Sequence, residues 1–296
     1  MLSSDSWGGA RKEGERAAPR QRAERASSQT GAASEGSRRE HRQADGGAAL
    51  RPARASAAQA FESSYDSIAA LYDPWSASVK EDVDFYVVEA RKAGGPIVEL
   101  GVGTGRIAVP TAQAGVHVIG VDSSEGMLEI CRKRAEAAGV SGLLDLRLGD
   151  LRRPPVRERV NLVTCPFRAL LHMQSDEERL EALRAVYGLL VPGGRFVFDV
   201  FAPSREDVEE THARWLEREP GIWERADWDL DRRILTLSVR GHAGETRMHL
   251  AWRASEEWRA LLEGAGFEVV ALYGWFDMRP HDGGEDSVWI ARRTAE

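Results

Sequence analysis

The chain has 296 residues, 42% of them hydrophobic and 29% charged, which is enough to build a buried core in one large domain or two small ones. Its charge is uneven: residues 1–60 carry eleven Lys/Arg against seven Asp/Glu, so the other 236 hold 29 basic against 40 acidic residues, a net −11. An acidic body argues against a nucleic-acid groove, which needs clustered Lys and Arg, and no apolar run approaches the ~18 residues of a membrane span.

A cytoplasmic protein that handles a small molecule is therefore expected, without nucleic-acid or membrane partners. Cys131 and Cys165 are far apart and lie in no CxxC or His-rich setting, so neither a disulfide framework nor a metal site is expected.

Within residues 1–60 the only large apolar side chains are Met1, Leu2, Trp7 and Leu50. Such a segment cannot bury enough surface to order itself and reads as a disordered tail. Its Arg, Ala and Ser content also resembles an organelle-targeting peptide, against which its seven acids count. From residue 61 the texture changes, and residues 61–296 read as the folded domain.

FESSYDSIAALYDPW has helical spacing and should break before Pro74. A second helix over 77–92 should stop at Gly94-Gly95-Pro96. PIVEL, RIAVPTAQAG, VHVIGVD, SEGMLEICRKRAEAAG and LLDLRLGD then alternate as βαβαβ, which predicts a parallel sheet covered by helices. VNLVTC reads as a strand and 175–190 as a helix, opened by a capping box of Ser175 and Glu178. Pro192-Gly193-Gly194 reads as a turn into the strand RFVFDVF.

Residues 204–220 look helical. IWERADWD, RILTLSVR and TRMHLAW predict a three-stranded antiparallel insertion over about 221–252. A helix at 255–263 and the strands FEVVALYGW and SVWIARR close the chain. The short loop between those last two strands forces them antiparallel. The fold class is α/β: a doubly wound, seven-stranded, mostly parallel, Rossmann-like sheet with a terminal antiparallel hairpin and a small antiparallel insertion.

The stretch VELGVGTGR joins a strand to a helix through Gly101, Gly103 and Gly105. A dinucleotide fingerprint has its third glycine one residue later, where Arg106 stands, so a NAD site is disfavoured. There is no phosphate loop of the G-x-x-x-x-G-K-[ST] type. Glu99 before the glycines would repel a pyrophosphate and welcome a cation, and Asp122 at the end of the next strand can accept from a ribose. A positively charged nucleoside such as S-adenosylmethionine fits this pattern.

VELGVGTGR, GVDSSEGML, LRLGDLR and LLVPGGRFVFDV, in this order and spacing, resemble the motifs of class I S-adenosylmethionine-dependent methyltransferases of small-molecule type. The resemblance covers about residues 61–296. It implies that Glu99 and the Gly101, Gly103, Gly105 loop, with Arg106 after it, hold the methionyl part of S-adenosyl-L-methionine. Asp122 would take the ribose hydroxyls and Ser123 and Met127 would lie on the adenine. Asp150 would accept from the adenine amino group beside the Leu151 amide. Met127 as helix core and Asp150 as a turn cap are the structural alternatives.

In VTCPFRALLHM the family places residues between cofactor and acceptor. Cys165 is assigned there to the cofactor, and Phe167 and Arg168 to the substrate, Arg168 being suited to a carboxylate or phosphate. His172 is the titratable group nearest this end and the candidate catalytic residue; a packed histidine is the alternative. Tyr65 and Tyr72 resemble a lid helix, with Tyr72 on the cofactor and Tyr65 on the substrate.

Trp215, Trp223, Trp228, Trp252 and Trp275 stand for an aromatic acceptor pocket, a subunit contact through the insertion giving a homodimer, or plain packing; Trp275 is the one assigned to the substrate. Methyl transfer to nitrogen or oxygen of a small molecule is the expected activity. A non-catalytic cofactor-binding or regulatory protein on the same fold is the other reading.

Overall fold

The computed structural model describes residues 65, 69–75, 80–242 and 244–294. The segment 1–60, expected to be a tail, lies outside the described residues.

Two helices, α1 (Ala69–Trp75) and α2 (Glu81–Ala93), precede a regular alternation. It runs β1 (Ile97–Leu100), α3 (Ala108–Gln113), β2 (Val118–Asp122), α4 (Glu125–Ala137), β3 (Leu144–Leu148), β4 (Val160–Cys165), α5 (Asp176–Leu189) and β5 (Leu190–Phe201). After α6 (Arg205–Thr211) come β6 (Trp215–Glu219), β7 (Ile222–Asp229), β8 (Ile234–Gly241) and β9 (Gly244–Ala251). The chain closes with α7 (Ser255–Gly264), β10 (Phe267–Tyr273) and β11 (Asp286–Arg293).

Seven strands form one sheet in the order β3-β2-β1-β4-β5-β11-β10, and β6 to β9 form a second, antiparallel sheet. In the large sheet only β11 runs against its neighbours, pairing antiparallel with both β5 and β10. Period-2 alternation divides the core. Val98, Val163, Phe196 and Phe198 face α5, α7 and the insertion, while Ile97, Leu162 and Val197 face the layer of α2, α3 and α4. Serine caps start three helices: Ser124, Ser175 and Ser204 accept from the amides of Met127, Glu178 and Asp207.

Local differences from the sequence reading have physical causes. α1 continues through Pro74, which is exposed and one residue from the helix end, so that the chain forfeits one i→i−4 bond and the helix stops at Trp75. The predicted helix over 204–220 ends at Thr211, and its second half is the strand β6, so the insertion has four strands. Pro220-Gly221, with Gly221 at φ 75°, makes the β6–β7 turn, and pairing with β7 overrides helical spacing. Pro192-Gly193-Gly194 lies inside β5 as an irregularity: β4 pairs with Leu190 and then with Arg195. The capping box is half formed, because the Glu178 carboxylate accepts from the Gln174 amide and from Arg152.

Gly105 has φ +82°, and a Cβ there would stand 2.6 Å from Cys131 Sγ on α4. Gly94 has φ +67° but open space around it. Gly105→Ala should cost about 2–4 kcal/mol, overpacking added to left-handed strain, and Gly94→Ala only about 1–2 kcal/mol. Urea unfolding of both variants checks the difference; equal costs would mean α4 yields freely.

Candidate active site

Strand order reverses between β1 and β4, and the crevice beyond their carboxyl ends is where an open α/β sheet binds ligands. A cleft of about 230 Å³ opens there. Gly101 and Gly103 form one wall; Asp122, Ser123 and Met127 form a second; Gly149, Asp150 and Leu151 form a third. Tyr65, Tyr72, Phe167 and His172 close the remaining side. Among the described residues no Lys or Arg lines it, which disfavours a phosphate and suits a cation.

The loop after β1 is shaped by its carboxylates. Asp122 accepts from the Gly103 amide at 2.8 Å and from the Ser124 amide at 2.9 Å, tying the loop to the start of α4. Gly101, at φ +70°, lets the Ala169 methyl approach to within 2.9 Å of where a Cβ would be. Beneath the loop, Glu99 is 1% exposed and its Oε2 has no hydrogen-bond partner among the described residues. Burial pushes its carboxyl up to about 8, against the pull of Arg106.

The opposite end is aromatic. Tyr65 shares a 2.9 Å hydrogen bond between its hydroxyl and His172 Nε2 and also contacts Met248 Sδ on β9. Tyr72 meets Tyr65, Trp75 and Phe167 edge to face, at 5.9, 6.0 and 6.1 Å between centroids. Burial lowers His172 to about 4, so its ring is neutral at ordinary pH. α1, which carries Tyr72, is fastened on both sides: Asp73 accepts from Thr104 at 2.6 Å, and Trp75 donates to Glu224 of β7 at 3.0 Å.

Phe167 and Arg168 are consecutive non-glycine residues at φ 54° and 63°. Such conformations cost about 1–3 kcal/mol each and persist only where the surroundings enforce them. Asp199 on β5 does so by accepting from the Phe167 amide at 2.8 Å and the Arg168 amide at 3.1 Å. Hydrogen bonds to a charged acceptor are worth about 1.5–3 kcal/mol each, enough to offset the strain.

Against known families, residues 97–194 match a methyltransferase domain model. The chain is 31% identical over 187 residues to an uncharacterized methyltransferase of Geobacillus kaustophilus (strain HTA426), covering 56% of this chain and 80% of that one. Among solved structures, the CcbJ methyltransferase of Streptomyces caelestis is 27% identical with a TM-score of 0.69, over 78% of this chain and 98% of that chain. S-adenosylmethionine-bound CalS10, an amino pentose methyltransferase of Micromonospora echinaspora, is 22% identical with a TM-score of 0.54, over 76% and 95%. The chain belongs to the class I S-adenosylmethionine-dependent methyltransferases.

S-adenosylmethionine is the cofactor of this methyltransferase, and the residues fit it: among those described, Asp122 and Asp150 line the cleft with no Lys or Arg, and beneath the glycine loop Glu99 Oε2 lacks a donor. The oxidoreductase and non-catalytic readings give way to this family. The structure brings Tyr65, Tyr72, Gly101, Gly103, Asp122, Ser123, Met127, Asp150, Leu151, Phe167 and His172 together around one cleft. It leaves six of the expected site residues off the cleft wall.

Glu99 lies beneath the loop. Gly105 packs against α4, and Cys165 is a fully buried core residue. Arg106 turns away to make a bidentate pair with Asp82 of α2, 2.6 Å for each bond, and its guanidinium lies 4.7 Å from the Phe167 ring centroid. Arg168 pairs with Asp286 at 2.7 Å and so meets a carboxylate of its own chain. Trp275 packs on Phe276 in the β10–β11 loop.

Asp150 is shared between the cleft and a local turn. It lines the cleft, yet its carboxylate also binds Arg152, at 2.5 Å through the side chain and 2.7 Å through the amide. Those bonds outweigh burial and lower its pKa. Trp228 and Trp252 are core residues, and Trp215 and Trp223 flank Arg240 at 4.0 and 5.8 Å. Packing accounts for these four tryptophans. Asp199, Asp82 and Tyr86 were missed; their only sequence signal is an acid inside an apolar strand, FVFDVF, and polar residues on the buried side of a helix.

Glu99 titrates near 8 when folded and near 4.5 when unfolded. The native state therefore holds the extra proton between those values, and cofactor-free stability falls as pH rises through them, with a limiting slope of about 1.4 kcal/mol per pH unit. Because His172 and Asp199 titrate alike in both proteins, the comparison is by difference: in urea unfolding from pH 5 to 8 the stability of wild type should fall relative to that of Glu99→Gln. An equal slope in both proteins would refute the assignment.

Proposed function

We propose that this methyltransferase moves a methyl group from S-adenosylmethionine to a nitrogen of a small molecule, oxygen being the less favoured acceptor atom. Glu99 supplies the buried acceptor for the cofactor's ammonium, beneath a loop whose Gly101 and Gly103 carry no side chains to obstruct a ligand. Asp122, on the cleft wall at the end of β2, takes the ribose hydroxyls. Ser123 and Met127 border the adenine on one side, Asp150 and Leu151 on the other. When bound, the cofactor presents an electrophilic methyl group on a sulfonium.

The chain then contributes orientation and dryness more than acid–base power. Tyr65, Tyr72 and Phe167 wall the acceptor end with aromatic faces, which attract cations and exclude water. The observation that carries the choice of nitrogen is the Tyr65–His172 pair: a phenol and a neutral imidazole, both half-buried and bonded to each other. Removing an alcohol's proton requires a strong base, and an imidazole held near 4 is a weak one. A neutral amine brings its own lone pair. Here it needs only an acceptor for an N–H, which the hydroxyl–imidazole pair provides. The amino pentose acted on by CalS10 is a substrate of this chemical class.

Calorimetric titration of S-adenosylmethionine into wild type and Asp122→Ala should show binding weakened by about 1.5–3 kcal/mol, the worth of hydrogen bonds to a charged group. A panel of amines and hydroxyl compounds, followed by S-adenosylhomocysteine release, tests the acceptor. Amines should be methylated, and turnover of hydroxyl compounds alone would overturn the choice of nitrogen.

His172 also makes a pH prediction. Its protonated form appears only near pH 4, so the pH–rate profile should lack an inflexion at the ordinary histidine value of 6.5. An inflexion at 6.5 that vanishes in His172→Gln would show that His172 titrates there and is a working base.

A further inference from the structure

We propose that Asp199 is a positioning residue of the active site: by accepting from the Phe167 and Arg168 amides it holds that turn left-handed and fixes the Phe167 ring on the cleft wall. Asp199 is 6% exposed and sits one strand away from the glycine loop's own strand neighbour, on β5. Its two oxygens are both in use. Oδ1 accepts from Phe167 N and from the Tyr86 hydroxyl at 2.6 Å, and Oδ2 accepts from Arg168 N. An asparagine would turn an N–H toward one of those amides and leave it unpaired.

The Phe167 ring is set by a second carboxylate working through a cation. Asp82 clamps Arg106, and Arg106 lies against the ring. Asp199 on β5 thus holds the backbone that places the Phe167 ring and the Asp82–Arg106 pair backs that ring, the two anchors being joined through the Tyr86–Asp199 bond, and neither lines the cleft. The inference rests on the proposed placement of Phe167 beside cofactor and acceptor.

The groups facing Asp199 are Tyr86 and Asp82 from α2, Cys165 and Arg168 around the end of β4, and Arg106 behind Phe167; Asp286 of β11 faces Arg168. Burial is the largest influence on Asp199, raising it to about 6 against the bond from Tyr86. Protonation would convert one acceptor oxygen into a donor in a turn that uses both, so the turn loosens below that pH.

The test is amide hydrogen exchange at Phe167 and Arg168 from pH 5 to 7.5, corrected for intrinsic exchange, with S-adenosylhomocysteine affinity measured alongside. Wild type should lose protection as pH falls through about 6. Asp199→Asn should lose about tenfold in protection at all pH values and show no inflexion, with S-adenosylhomocysteine binding weakened to the level of Phe167→Ala. Tyr86→Phe should move the same way by less.

Wild-type protection in Asp199→Asn, or an inflexion near pH 6 that survives in it, would overturn the proposal. Should Asp199→Asn fail to fold, unchanged exchange in Tyr86→Phe overturns it. Weak binding by Phe167→Ala beside normal binding by Asp199→Asn removes the positioning role alone. Normal binding by Phe167→Ala removes the placement of Phe167, and the proposal with it.

Discussion

The structure depends on where its carboxylates end up. Glu99, Asp122 and Asp199 stand in or at the ends of β1, β2 and β5, around the point where the strand order reverses. A buried carboxylate needs oriented donors, because burial favours its neutral form. Each of the three is served differently: Asp122 by two loop amides, Asp199 by two amides and a phenol, and Glu99 with one oxygen lacking any donor among the described residues. Three of the amides brought to those oxygens belong to residues with positive φ: Gly103 after β1, and Phe167 and Arg168 after β4. The carboxylates therefore dictate the loops, and the loops define the cleft.

Closure of the cleft is the work of elements far from the sheet in sequence. α1 meets the glycine loop through Asp73 and Thr104, α4 through Asp73 and Arg134, and the insertion through Trp75 and Glu224. The insertion's inner face follows strict alternation along β7, with Ile222, Glu224, Ala226 and Trp228 buried. In that apolar row Glu224 is an exception, held by Arg218 and Trp75. Across β8, on β9, Met248 of the same face touches Tyr65. One sheet face thus serves as core over most of its area and as cleft cover at one end.

The sheet and its order of elements were legible in the sequence because they repeat: period-2 strands, helical stretches and glycine punctuation are local signals. So was the gathering of Gly101, Gly103, Asp122, Ser123 and Met127 around one cleft, since they fall within one βαβ unit. β6 was lost because pairing with β7 decided it, and only Pro220-Gly221 announced the turn. Asp82, Tyr86 and Asp199 were illegible for another reason. They act across separations of 24, 113 and 32 residues, where no local pattern exists to be read. Trp228 and Trp252, prominent in the sequence, were prominent because large aromatic side chains fill cores.

The fate of Arg106 shows how a one-residue shift in a motif redistributes chemistry. In a dinucleotide loop the third glycine lets helix and strand pack closely. Here Gly105 already performs that service against Cys131, one position early, so the next residue is released from it. What stands there is a guanidinium that would suit a phosphate, yet Asp82 claims both of its faces and the Phe167 ring covers it. Neutralised and displaced from the cleft, the cation leaves the pocket acidic. The same arginine that argues against a pyrophosphate by its place in the motif thereby backs the Phe167 ring on the cleft wall.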